Sequence, residues 1–247
     1  MRFLDSNNEW TPEFLAHIEK SARKSIKLTL TKEPVRLADS KVGGKPWLPQ
    51  EISIPQDAEG QDYLFIAQLN WAQLPRLDGY PTKGMTSFFV KADDTFGLLD
   101  QAYQVFHFEQ VPDTDEIDPY QPENPDLYSP ILGGPYKLSG KGEKQLVPYK
   151  DRQAENYQLP TDQDEVAASK YWDLTDSSGS RIGGYPYFTQ EDPRSEDMEL
   201  LLQLDMEGDR REYYVSWGDS GVANFFIRRE DLLRLDFSKV TYTWDCL

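Results

Sequence analysis

The stretch Gly43 to Gln50, GGKPWLPQ, returns 140 positions later as Gly183 to Gln190, GGYPYFTQ. Two glycines allow positive φ and the close approach of another backbone, and the residue before each proline is pushed into an extended conformation. The aromatic after the proline can then lie on a neighbouring sheet, so conformation alone accounts for these residue types. The echo is not isolated. FIAQLN, ending at Asn70, matches LLLQLD, ending at Asp205, and GMTSFFV from Gly84 matches GVANFFI from Gly221, at separations of 135 and 137. Three landmarks in the same order at similar separation predict a unit used twice: a glycine corner, a strand ending Gln-Leu-Asn/Asp, a turn, and a strand ending in two phenylalanines.

Around these landmarks the pattern reads as strands. Ile26, Leu28 and Leu30 alternate with polar residues in SIKLTL, as a half-buried strand requires. Tyr63–Gln68, Thr86–Lys91 and Ala102–Glu109 follow, separated by turn signals, and Glu199–Asp205, Glu212–Trp217, Val222–Arg228 and Val240–Trp244 are expected as strands in the second half. Thr11-Pro12-Glu13 has the chemistry of a helix start, and Phe14, Ile18 and Ala22 carry the helical period to about Lys24. Shorter helices are expected over 162–172 and 229–235. The fold class is α+β: strand-rich, mostly antiparallel sheets with an N-terminal helix, built by internal duplication. The expected organisation is one compact domain, 1–247, with halves at about 25–110 and 162–247 and an irregular, Pro-rich connection over 111–161.

Charge and cysteine content narrow the function classes. The formal charge is −17, from 43 acidic and 26 basic residues. That field repels nucleic-acid phosphates and anionic lipid headgroups and favours basic partners. A single cysteine, Cys246, can form no bridge within the chain, which fits a reducing, cytoplasmic setting. No run of apolar residues is long enough for a signal segment or a membrane span, so the expectation is a soluble, unanchored chain.

Candidate chemistry is sparse. The two histidines are His17, on the expected first helix, and His107, on an aromatic-rich strand, and no nucleophile elbow, zinc-protease helix, phosphate loop or dinucleotide fingerprint is present. No cofactor or metal is expected. Asp113, Asp115, Glu116 and Asp118 lack the central glycine and terminal glutamate of a calcium loop and read as a solvated acidic turn. Gln68 and Asn70, like Gln203 and Asp205, share one strand face opposite a buried leucine, where they either close a buried hydrogen-bond network or line a pocket. The stretch Trp217-Gly218-Asp219-Ser220-Gly221 reads as a hairpin turn or as a ligand loop, with an indole to stack and a short acid. Trp47 and Trp71, with Trp217, are candidate linings of a cleft between the halves. Asp205, Asp219 and Asp245 are the carboxylates available to an acid–base pair.

GGYPYFTQ, LLLQLD, YVSWGDSGVANFFI and the terminal WDC together resemble the YwqG-like family of bacterial proteins, a group of unknown function; the match is specific over 181–246 and recognisable over 42–90. The resemblance implies a mixed, strand-rich α+β fold in the cytoplasm with no established activity or cofactor, and transfers no functional residues. It also carries the expectation that some relatives act as immunity or interaction proteins beside bacterial toxin systems. The reading is therefore a non-enzymatic module binding a basic protein partner or a small ligand. Its alternative is a carboxylate-dependent hydrolase using Asp205 and Asp219.

Overall fold

Alternating strands bury one face and wet the other, so an antiparallel sheet must fold over its apolar face to make a core. The computed structural model describes residues 1–112, 114–119 and 129–247. At the N-terminus Thr11 caps α1 (Pro12–Ile18), its hydroxyl accepting the Phe14 amide at 3.2 Å. The helix stops short of the expected Lys24. A 3-10 turn over Glu19–Ser21 follows, where the Ser21 hydroxyl donates to the Ile18 carbonyl, and Arg23 already pairs with Gln145 in the sheet.

The SIKLTL alternation becomes β1 (Arg23–Thr31), with Ile26, Leu28 and Leu30 buried and Lys27 and Thr29 exposed. Its partner over the whole length is β6 (Tyr136–Gln145), antiparallel. This corrects the expected irregular connection over 111–161, which instead supplies a strand at the centre of the sheet. Gly140 lies where a side chain would otherwise point into the core, and a Cβ there would clash with Ile26 and crowd Leu74 and Pro75.

Either side of this spine lies a four-stranded wing. One is β2 (Lys41–Val42), β3 (Leu64–Asn70), β4 (Met85–Val90) and β5 (Tyr103–Phe108). The other is β7 (Arg181–Gly183), β8 (Glu199–Leu204), β11 (Val222–Ile227) and β12 (Thr241–Asp245). Among the described residues they form one ten-stranded sheet in the order β12-β11-β8-β7-β1-β6-β2-β3-β4-β5. The order reads alike from either end: edge, inner strand, inner strand, corner strand, spine.

The sheet wraps until its wings face each other. Phe88 of β4 meets Phe225 of β11 with ring centroids 4.8 Å apart, and Tyr103 of β5 meets Tyr242 of β12 at 5.4 Å. The Tyr103 hydroxyl donates to the Val240 carbonyl at 3.2 Å, and the Trp244 indole to the Thr95 carbonyl at 2.6 Å, so the two edges are tied by side chains. One apolar cluster therefore draws on both wings and the spine. A second, smaller one joins Phe14 and Ile18 of α1 to Val147, Tyr185 and Tyr171, the last on α2 (Glu165–Leu174).

The remaining elements are short. The expected strand over Glu212–Trp217 forms only as β10 (Tyr213–Val215), which pairs with β9 (Glu207–Gly208) in a separate ribbon. The ribbon packs back on the main sheet, where Tyr214 stacks on Tyr136 of β6 at 4.5 Å and donates its hydroxyl to Asp209 at 2.7 Å. The last helix, α3 (Arg229–Leu233), is shorter than expected. No helix of the described residues is long and apolar enough to cross a membrane.

At both corners the glycines are left-handed, with φ of 67° and 81° at Gly43 and Gly44 and of 69° and 72° at Gly183 and Gly184. The amide of the following aromatic is caught by a buried glutamine: Trp47 N–H donates to Gln68 Oε1 at 2.9 Å, and Tyr187 N–H to Gln203 Oε1 at 2.7 Å. Each glutamine spends its own N–H groups on two loop carbonyls. Gln68 donates to Leu37 and Asp39, and Gln203 donates to Ser177 and Gly179. Side chains at Gly44 and Gly184 would run into Asp118 and Gln145, which accept the next amide in the chain.

Candidate functional site

The sequence-derived candidates divide by what they touch. Gln68 and Gln203 are fully buried, and their side-chain groups are committed to backbone at the two corners. Asn70 donates to the Ala38 carbonyl and accepts the Ala72 amide, capping a short turn. Trp71 is buried, its indole donating to Thr86 Oγ1 at 2.8 Å. Trp217 is also buried, against Phe96, Tyr242 and Trp244, so neither of these two indoles lines a surface cleft. The space between the wings is filled by core instead. Trp47 is half-buried, edge-on to Phe108 at 5.7 Å, in a shallow outer groove.

The carboxylates do not assemble either. Asp205 accepts the Gly179 amide on one oxygen at 2.6 Å and the Met206 amide on the other at 2.8 Å. Burial pushes its pKa up, against the pull of those amides. Asp219 lies exposed on the 217–221 turn, its carbonyl accepting the Leu247 amide. Asp245 accepts the Gln190 amide at 2.7 Å, and burial raises its pKa. In the acidic stretch, Asp113 lies outside the described residues and Asp115 pairs with exposed Arg36. Asp118 corrects the expectation of a solvated turn, because it points inward onto Lys41 with both side chains at 0 % exposure. Among the described residues no group of three or more His, Cys, Asp or Glu is placed to hold a metal ion.

His107 is a packed neutral ring. Thr86 Oγ1 accepts the Trp71 indole N–H and shares a hydrogen bond with His107 Nδ1 at 2.9 Å, and the ring stacks on Phe237 at 4.4 Å. Burial lowers its pKa from 6.5 to about 4, opposed by Glu109. Because the fold holds this group below its unfolded value, its stabilising contribution is complete above pH 6.5 and is lost as the pH falls toward 4. Urea unfolding across that interval is expected to show a smaller acid-linked loss for His107→Gln than for the natural chain; equal slopes would remove His107 from the account.

The cavity with the most ligand-like chemistry lies beside the second glycine corner, at the end of α2. Tyr149 and Trp172 stack there, centroids 6.1 Å apart and planes 22° from parallel, with Tyr187 and Phe188 on the facing wall. Each wall is fixed from behind. Tyr149 packs edge-on against buried Tyr171 at 5.0 Å and donates its hydroxyl to the Pro160 carbonyl, while the Tyr187 carbonyl accepts from Asn224. Thr175 ends α2 by donating to the Tyr171 carbonyl, and Asp173 and Asp176 on either side of it line the cavity. The volume is about 310 Å³.

The electrostatics there are one-sided. Asp176 accepts the Ser178 amide and hydroxyl, and neither Asp173 nor Asp176 has a cationic partner among the described residues. The lining cation among the described residues, Lys150, is turned to the Thr189 carbonyl at 3.0 Å and keeps its positive charge. Burial, reinforced by Asp205, Asp245 and Asp176, pushes the Tyr187 phenol up, so its hydroxyl stays protonated and able to donate. In contrast, the larger cavity at Gly183–Gly184 is lined by charges already paired: Arg23 with Asp197, Lys24 with Asp78, Arg229 with Glu199.

Sequence reasoning named Trp47 at the first corner and passed over its counterpart Tyr187. It also missed Trp172, although consecutive aromatics on a helix cannot share one face: with Tyr171 inside, Trp172 must point out. It is 54 % exposed.

Fold and cleft together define a strand-rich protein with an open aromatic and acidic pocket and no assembled catalytic group among the candidates. The chain matches the family described as Domain of unknown function (DUF1963) over residues 40–246, and it belongs to that family. No curated protein matches it.

Proposed function

We propose that this chain is a non-enzymatic binding module that holds a basic partner protein or a small ligand in the Tyr149–Trp172–Tyr187 cleft. The observation that carries the reading is Trp172, a large ring left 54 % exposed on a partner ring at the mouth of a cavity with unpaired carboxylates. Pockets of this kind combine aromatic walls with a few placed polar groups. The formal charge of −17 supports a basic partner. The hydrolase reading loses support because Asp205 gives both oxygens to backbone amides.

The repeated corners support a further proposal, that both wings descend from one duplicated unit and pack as a single cytoplasmic domain of the YwqG-like type. The test of function is heteronuclear NMR with a mixed fragment set of cationic, anionic and neutral compounds. Binding is expected to move the Trp172 indole N–H and the Ser178 and Tyr187 amides; perturbations confined to other surfaces would overturn the assignment.

A further inference from the structure

We infer that the cleft at the end of α2 is selective for an organic ammonium cation, the head group of a lysine side chain or of a free quaternary amine. This rests on the reading of the cleft as the binding site and adds the chemistry of what enters it. Three independent features point the same way.

The first is the state of the rings. An aromatic face carries negative potential, and a cation within about 6 Å of the ring centre is attracted to it. Among the rings that line the cleft, Phe188 already carries Arg194, and the other described cations over rings lie away from it: Arg23 over Tyr185 and Lys32 over Tyr214. No described cation covers Tyr149, Trp172 or Tyr187, and Trp172, stacked on Tyr149 on one face, is 54 % exposed, so its other side is open to a cation from outside.

The second is the carboxylates. Most exposed acids that line the other charged cavity already hold a lysine or arginine at hydrogen-bond distance. Among the described residues Asp173 and Asp176 have no lysine or arginine at ion-pair distance, and Arg181 acts on Asp176 only from farther off, so a cation bound in the cavity would meet both charges. Asp176 is held in place by Ser178, so its charge is pre-positioned.

The third is size. A volume of about 310 Å³ is at the small end for ligand sites and suits one head group with a short stem. Lys150 is exposed and turned to the Thr189 carbonyl, leaving the rings and acids as the groups that meet the cation.

The experiment titrates the full chain with choline and with 3,3-dimethyl-1-butanol, its uncharged carbon isostere, following the Trp172 indole N–H by NMR. Choline is expected to bind at least roughly tenfold more tightly, as a desolvated cation–π contact of this kind implies. Trp172→Ala should weaken choline by about tenfold. Asp173→Asn/Asp176→Asn should weaken it and flatten its dependence on salt, which is the signature of screened charge. Equal binding of choline and its isostere would overturn the cation inference while leaving the cleft as a binding site. Binding of neither compound, with the fragment set also silent at Trp172, would overturn both. A blocked lysine dipeptide run in parallel fixes the source: preference for it identifies a partner's side chain, and preference for choline identifies a free amine.

Discussion

Replacing Arg194 by methionine is expected to cost about 3–5 kcal/mol of unfolding free energy, the range for stranding a buried charge. For a chain of this length that is a fall in midpoint on the order of 10 °C. The guanidinium is 2 % exposed, and one nitrogen bridges Asp151 at 2.7 Å and Asp192 at 2.6 Å. Its flat face covers Phe226 at 5.2 Å and Phe188 at 5.8 Å, so it also seals the outer face of β8 and β11. Methionine keeps that apolar cover but leaves two carboxylates, at 0 % and 9 % exposure, with no cation.

The pH dependence separates charge from packing. In the natural chain burial pushes Asp192 up, and the Arg194 guanidinium outweighs it, holding the pKa below 3.8. Its contribution is thus present above 3.8 and lost as the pH falls through the folded value. In the variant the guanidinium's pull is gone and burial is opposed only by the backbone amides of residues 152 and 194, so the Asp192 pKa rises and the gap between the two proteins should narrow as the pH falls from 7 toward the carboxylate range. Asp151→Asn/Asp192→Asn added to Arg194→Met should restore most of the loss, since asparagine keeps the cap that Asp151 gives Gln153. Measurement by chemical denaturation showing a pH-independent gap would mean that only packing was lost.

What could be read from sequence follows the physics of each element. β1, β4, β5, β8, β11 and β12 declared themselves because their apolar positions alternate or cluster against one core. β6 did not, although it is a central strand. One face carries Lys137, Ser139, Lys141 and Glu143, and on the other Tyr136 and Leu138 give way to Gly140 and an exposed Gly142, so the apolar alternation that marks a strand is missing. Gly140 is there because the Leu74–Pro75 connection crosses close above it, a demand set by a segment far away in sequence.

The candidate site was legible in type and not in place. The aromatic after each corner proline is expected to lie on a neighbouring sheet, with Trp47 lining a cleft between the halves, and Trp47 lies instead against Phe108 in an outer groove. Yet the aromatic and acidic cavity belongs to Tyr187, because the second corner is faced by a helix end, that of α2, which brings Trp172 and Asp173. The residues with the most site-like chemistry, Gln68, Gln203 and Asp205, turned out to hold loops. Their polarity satisfies buried backbone amides and carbonyls, which is the commonest use of a buried polar side chain.

The corners also carry two buried cations in equivalent places, and their partners make them unequal. Lys41 donates to Asp118 at 2.6 Å and to the Leu37 carbonyl at 3.1 Å, with lysine and carboxylate both at 0 % exposure. Arg181 donates to Glu143 at 3.0 Å and also to the Ser178 carbonyl, but Glu143 is 31 % exposed. Burial lowers both cations from their ordinary values, so in each case desolvation exceeds what the partner returns. Removing the cation therefore has different consequences. At Lys41→Met the Asp118 charge has no route to water, and the loss should be about 3–5 kcal/mol. At Arg181→Met the Glu143 carboxylate can hydrate, and the loss should be about 1–2 kcal/mol, in the range of an ordinary hydrogen-bond and packing deletion. Adding Asp118→Asn to Lys41→Met should recover part of the first loss, since the amide oxygen still accepts the Lys45 amide that the carboxylate holds. Denaturant midpoints for the four proteins decide it. A loss at Arg181→Met equal to or larger than that at Lys41→Met would show that exposure of the partner does not set the cost, and that the two corners are held by packing alone.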